Sequence, residues 1–228
     1  MTTGFGSATL IGRDGLRHFT IKKSRRTHPA FAHVSTRVIG TNRLALDAVL
    51  AGAVRLAVPM QRADAPLAGD AARMGETIAR ALLERARAGA TGGMVWGGET
   101  TVQLSRATPA FAGRGMESGA GIPPTGGRCQ ELALAAARVI ATAGDDGRRI
   151  TLLAAGTDGR DGPTDAAGAF ADGELWHRIA ASGRDPELAL TRHESYAALD
   201  AGGALLRRGL TGTNVMDVVI GMVEPAPL

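Results

Sequence analysis

The chain has 228 residues, 44% of them hydrophobic but only 4% aromatic, with a formal net charge of +4 and one cysteine. That length allows a full core, which must be built from Ala, Leu, Val and Ile rather than from rings. No run reaches the roughly 18 consecutive apolar residues of a membrane helix, a lone cysteine excludes an internal disulfide, and the first residues lack a basic start followed by an apolar run, so the expectation is a cytoplasmic protein without a secretory signal or membrane partner.

Residues 1–36 read as a polar, irregular leader. The only lysines, Lys22 and Lys23, lie there in "KKSRR" (22–26), so cationic chemistry elsewhere falls to arginine. With no aromatic stacking residues inside it, that cluster reads as a solvated tail rather than a nucleic-acid contact. "RVIGTN" (37–42) predicts a short strand, and 42–57 a helix with Leu46, Val49, Leu50, Ala53 and Val54 on one face. A second helix is expected over 68–89, with a stripe through Ile78, Leu82 and Leu83 and Gly89 as its stop. "GGMVWGGETTVQL" (92–104) reads as two short strands joined through a double glycine, and 105–127 as a long Gly-, Pro- and Ser-rich loop. A strong helix follows over 128–144, with Leu132, Ala136 and Val139 on its apolar stripe. The apolar run Ile150 to Ala155 predicts a strand buried on both faces. Short helices over 173–182, 186–192 and 195–201 and a last strand over 214–223 complete an α/β pattern: a mixed sheet flanked by helices.

Four stretches have the composition of sites. "GTDGRDGPTDAAG" (156–168) places Asp158, Asp161 and Asp165 beyond the end of a strand, where ligands of open α/β sheets bind. Carboxylates there can hold Mg²⁺, and Asp158 and Asp161 are the candidate ligands, although Asp-Gly pairs also make ordinary turns. "PPTGGRCQE" (123–131) sets Gly126 and Gly127 before a helix, an arrangement able to cradle an anion, with Arg128 positioned to fork onto it. The alternative is a glycine-rich loop capped by a surface arginine. Cys129 beside it reads as a small apolar filler rather than an activated thiol. "GGETT" (97–101) presents Glu99 and Thr100 from a tight turn. "LTGTNVMD" (210–217) is a polar loop with Thr213 and Asn214, and Asp217 enters the strand behind it.

The five histidines lack metal-ligand spacing. No GxSxG elbow and no GxGxxG after a strand is present, which speaks against a serine hydrolase and a dinucleotide fold.

Taken in order, "GGETTV", "GGRCQELALAAA", "AAGTDGRDGPTDAAGAF" and "TGTNVMD" closely resemble the C-terminal half of the glycerate 2-kinase family, the domain called MOFRL. The resemblance covers about Gly93 to Val219. Upstream it extends to near Thr36, so that 37–92 resembles the end of a preceding α/β domain and 93–228 a MOFRL-like C-terminal domain. The family transfers phosphate from ATP to the 2-hydroxyl of D-glycerate with a divalent metal, in the cleft of a two-domain architecture. The resemblance therefore implies ATP and Mg²⁺ as cofactors and D-glycerate as substrate. Arg128 is implied at the transferring phosphoryl; Asp158, Asp161, Asp165, Glu99 and Thr100 are implied at substrate or metal. The family's "GKA" lysine and "SGGGS" loop do not occur here, and Cys129 and Met216 stand where the family has asparagine. The chain is thus expected to form one wall of a cleft, completed by an N-terminal domain partner or a homo-oligomer. The competing expectations are a non-catalytic domain that binds a small anion and, further off, a hydroxypyruvate reductase.

Overall fold

The structure is a computed structural model that describes residues 6–12, 15–21, 37–103 and 125–226. It divides into two units, residues 1–41 and 42–228. In the first, β1 (Gly6–Gly12) and β2 (Gly15–Ile21) form an antiparallel hairpin. Regular pairing thus lies inside the segment expected to be irregular, while "KKSRR" falls outside the described residues, as does the loop over 104–124. No strand forms over 37–42: residues 37–41 carry no regular structure and a helix begins at Asn42. Val38 and Ile39 have no ladder to join, and β-branched residues alone do not hold a strand.

The second unit is one mixed sheet with helices on both faces. Its elements are α1 (Asn42–Arg55), β3 (Met60–Arg62), α2 (Ala71–Arg87), β4 (Gly92–Gly98), α3 (Arg128–Ala141), α4 (Gly144–Arg148), β5 (Ile150–Gly156), β6 (Gly168–Asp172), α5 (Leu175–Ala181), α6 (Pro186–Thr191), α7 (Ser195–Ala201), β7 (Leu205–Leu206) and β8 (Asp217–Val223). The strands lie in the order β3-β4-β8-β5-β6-β7. Only β3 and β4 run parallel; every other neighbouring pair is antiparallel. β3 and α2, drawn from 37–92, share the sheet and the core with elements of the later segment.

α2 and α3 cover one face. Side chains alternate across a strand, and Ile150, Leu152 and Ala154 of β5, Ala169 and Ala171 of β6, and Val219 and Val223 of β8 are buried in the same core as Ile78, Leu82, Leu132 and Ile140. α3 is buried almost all round, from Cys129 to Ala137 and again at Ile140. Its alanines let neighbours come close on every side, and fully buried Leu132, Leu134 and Ile140 each contribute roughly 1.5–3 kcal/mol. α1 packs on the opposite face over β3 and β4. On that face the cross-strand row Phe170, Leu153 and Ile220 is only half-buried or exposed. β5 is therefore buried on one face, not two; its antiparallel neighbours do not bring covering helices to both sides. In α1 only Leu46 and Ala53 are buried, and Val54 is exposed. Eight residues on from Leu46, it sits about 80° round the helix and leaves the apolar stripe. β4 is one strand running through its double glycine rather than two, and it continues past Gly98 only as an isolated bridge between Thr101 and Asp70.

The contact between α2 and α3 requires a missing side chain. A Cβ on Gly75 would lie 2.2 Å from the carbonyl oxygen of Leu132. Substituting Gly75→Ala must push the helices apart despite the better helix propensity of alanine. We expect it to destabilise the unit by roughly 1–3 kcal/mol, read as a lower urea midpoint; an unchanged midpoint would show that the helices are free to separate.

Candidate functional site

The antiparallel insertion of β8 brings distant residues together. Asp217 opens β8 and pairs with Gly98, the last residue of β4, and with Gly156, the last of β5. Two strands end and a third begins at one edge, which is where an open α/β sheet leaves room for a ligand. The backbone before Asp217 is held from both flanks. Asn42, at the start of α1, donates its side-chain N–H to the carbonyls of Val215 (2.8 Å) and Asp217 (3.1 Å). Thr157 donates its hydroxyl to Met216 O (2.7 Å) and accepts Val215 N–H (2.9 Å).

Over this edge stands the first residue of α3. The Arg128 guanidinium pairs with Glu99 through Nη1 and approaches both oxygens of Asp217 through Nη2 at 3.3 Å. The two carboxylates differ in setting: the Glu99 side chain is 50% exposed, that of Asp217 5%. Burial pushes the Asp217 carboxyl up to about 6; Arg128 opposes the shift, while Asp161 and Glu99 add to it. Burial in apolar surroundings disfavours the charged form, and here it outweighs one arginine. Oδ2 of Asp217 is buried without a hydrogen-bond partner. Thr100, beside Glu99, is buried.

The three aspartates of the loop after β5 do different things. Asp161 turns back onto α3 and accepts the backbone N–H groups of Cys129 (3.2 Å) and Gln130 (2.8 Å). The Gln130 side chain answers with N–H donation to Asp161 O (3.2 Å) and Thr164 Oγ1 (2.9 Å). This corrects two expectations. The anion cradle at Gly126 and Gly127 is filled by the protein's own carboxylate, and a Cβ on Gly127 would lie 2.3 Å from its oxygens. Asp161 is also not available as a metal ligand, being 3% exposed with both oxygens on helix amides. Asp158 spends one oxygen on Arg160 N–H (3.1 Å), and its other oxygen has no partner among the described residues. Asp165 is drawn away from Arg128. Its carboxylate accepts the Tyr196 hydroxyl (2.8 Å) and pairs with Arg207 (3.2 Å), contacts that hold its pKa low.

Thr213 and Asn214 lie in the exposed loop before β8. The Asn214 side chain accepts Met216 N–H (3.1 Å), Thr213 N–H reaches Thr211 Oγ1 (3.3 Å), and Thr211 joins this loop to 157–158 through Thr157 O (2.6 Å) and Asp158 O (3.1 Å). Four motif segments therefore meet here, at Glu99, Arg128, Asp158 and Asp217. Asp217 carries no role in the sequence reading beyond opening the strand, yet a carboxylate heading an otherwise apolar strand was the available signal. Nothing in the spacing of the chain points to the pairing of buried Glu131 with partly buried His193, with Oε2 and Nδ1 2.8 Å apart. Burial pushes the Glu131 carboxyl up. Cys129 is buried and its thiol is pushed well up by burial and by the two nearby aspartates, as a filler rather than a nucleophile.

Residues 93–217 match the MOFRL family. D-glycerate 2-kinase of Thermotoga maritima is 46% identical over 130 residues, covering 57% of this chain and 26% of that protein. Glycerate 2-kinase of Pyrococcus horikoshii is 35% identical over 195 residues, covering 84% of this chain and 40% of that one. The crystal structure of glycerate kinase from Thermotoga maritima superposes with a TM-score of 0.67, at 34% identity over 84% of this chain and 43% of its own. The chain thus spans less than half the length of the relatives it matches.

Two measurements check this geometry. The folded pKa of Asp217 lies above its ordinary 3.8, so its contribution to stability is fully present below that value and is lost as pH rises through about 6. Relative to Asp217→Asn, the wild type should lose roughly 3 kcal/mol between those limits and then level off. Urea unfolding of both proteins at several pH values reads this, and parallel curves would contradict it. Met216 has φ 69°, a left-handed conformation that glycine and asparagine accept more readily. Met216→Asn should therefore raise the thermal midpoint by an amount worth about 0.5–1 kcal/mol; a lower midpoint would mean that the Met216 side chain packs more than it strains.

Proposed function

The chain belongs to the MOFRL family, and from that premise we propose that it serves glycerate 2-kinase chemistry, the transfer of phosphate from ATP to the 2-hydroxyl of D-glycerate. The observation that carries this reading is Arg128, a half-exposed guanidinium standing where four motif segments converge. Charge in phosphoryl transfer builds on the oxygens of the transferring group, and a planar cation fixed beside them stabilises that charge without reorganising. On this reading the chain provides one wall of a cleft, and the part of the relatives that it does not match provides the facing wall.

Among the described residues no three His, Cys, Asp or Glu side chains gather as a metal cage. Mg²⁺ does not need one. It is held by one or two carboxylates with phosphate oxygens and water. Asp158, with its unpartnered oxygen, fits that donor set, and the ion it would hold neutralises phosphate charge. Glu99 and Asp217 hold the guanidinium over the ligand, and the loop bearing Thr213 and Asn214 lines the same edge. Asp165 has a place in this reading only as a support for the loop, through Tyr196 and Arg207.

ADP release with Mg²⁺, ATP and D-glycerate tests the proposal, using the chain alone and mixed with the N-terminal part of a longer relative. We expect turnover in one of these settings, lowered about 10²–10³-fold by Arg128→Ala. Turnover indifferent to that substitution would remove Arg128 from the site. Binding of ATP or glycerate without turnover in any mixture would support the second expectation, a small-anion-binding domain.

A further inference from the structure

Arg128 is gripped unequally, and the inequality assigns different tasks to its two carboxylates. Asp217 approaches Nη2 from the protein side, on a strand end whose backbone is fixed by Gly98, Gly156 and Asn42. Its side chain is buried and, among the described residues, Arg128 is the cation acting on it, with Cys129, Asp161 and Glu99 as the other titratable groups. Removing Arg128 from it would strand a buried charge, and Oδ2 already lacks a hydrogen-bond partner. Glu99 approaches Nη1 from the solvent side, half-exposed, on a segment past the end of β4. An exposed ion pair of this kind contributes little, and water can replace either partner. Breaking a buried one is costly because the charge left behind stays desolvated.

We propose that Asp217 is the positioning residue of this site, anchoring the Arg128 guanidinium, and that Glu99 is a latch that an incoming phosphate displaces. The inference deepens the phosphoryl-transfer reading by naming what aims Arg128 and what a phosphate must dislodge before reaching it. While Glu99 is in place, Nη1 is occupied and a carboxylate stands at the mouth of the site, so a phosphate oxygen takes over the position that Glu99 Oε1 holds. Nη2 stays on Asp217 throughout. Because the guanidinium is planar and rigid, holding Nη2 also fixes where Nη1 points, so its N–H groups stay aimed at the position that Glu99 vacates.

The two roles give opposite signs, which a simple count of negative charges does not. In ATP titrations by calorimetry, Glu99→Gln should tighten binding severalfold, because it opens the latch. Asp217→Asn should weaken it by at least about tenfold, since a misdirected group loses that much or more. Tighter binding in both variants would reduce the effect to charge and overturn the proposal. A second readout needs no ligand. The Nη resonances of Arg128, assigned by their loss in Arg128→Lys, report rotation of the guanidinium about its Nε–Cζ bond. Because Asp217 holds Nη2, exchange of the two Nη sites should stay slow in Glu99→Gln and quicken in Asp217→Asn. Faster exchange in Glu99→Gln would overturn the assignment of roles by itself, even if Asp217→Asn does not fold. If no protein binds ATP, alone or mixed with the N-terminal part of a longer relative, but the exchange pattern holds, the phosphoryl-transfer reading fails and the anchoring role of Asp217 stands.

Discussion

A buried carboxylate interlocked with the first turn of a helix sets the form of this edge of the molecule. Asp161 caps α3 from outside, and the second and third residues of the helix hold the loop that carries it, through amides in one direction and the Gln130 side chain in the other. The backbone of Asp161 is pinned as well, with N–H on Ala166 O at 2.7 Å. Amides at a helix N-terminus attract negative charge, and an internal carboxylate meets that demand as well as a ligand would. The close approach needs absent side chains: a Cβ on Gly162 would lie 2.3 Å from Gly126 O. The glycines of two separate motifs thus serve one contact, which joins the start of α3 to the loop after β5 and so fixes where Arg128 can stand.

Electrostatics at the edge follows from that frame. Arg128 is the cation of the convergence, and the charged groups beside it are Glu99, Asp217 and Asp161. Burial raises the pKa of both aspartates, although each lies near the arginine and Asp161 also accepts two amides. A surplus of carboxylate around one guanidinium suits a ligand that arrives with its own counter-cation, because naked phosphate would meet repulsion first.

Much of the fold was legible because helical periodicity is a strong local signal. α2, α3 and the three short helices near the end fall where the apolar stripes and glycine stops put them. Pairing was less legible, since what lies beside a strand is settled far away in the chain. The unbroken apolar run of β5 suggested two covered faces, yet Leu153 sits on a face that α2 and α3 do not reach. The motif stretches did converge, but their residues split into tasks that spacing does not encode. Asp158, Asp161 and Asp165 look alike in "GTDGRDGPTD"; one faces the edge, one caps a helix, and one is bound to Tyr196 and Arg207. The positive φ at Met216 is likewise invisible in a sequence where methionine gives no turn signal.

The place of β8 in the sheet has a consequence for how the protein is made. Among the described strands it comes last, yet it lies between β4 and β5. Until it leaves the ribosome, two partial sheets have facing edges with unmatched N–H and C=O groups, a state open to pairing with other chains. Helices α2 and α3 can form earlier, but the strands beneath them stay divided. Synthesis from N- to C-terminus therefore leaves the central seam to a late docking event between residues far apart in sequence, the slow kind of contact. Asp217 leads that strand into place, so the edge around Arg128 is assembled only as the sheet closes.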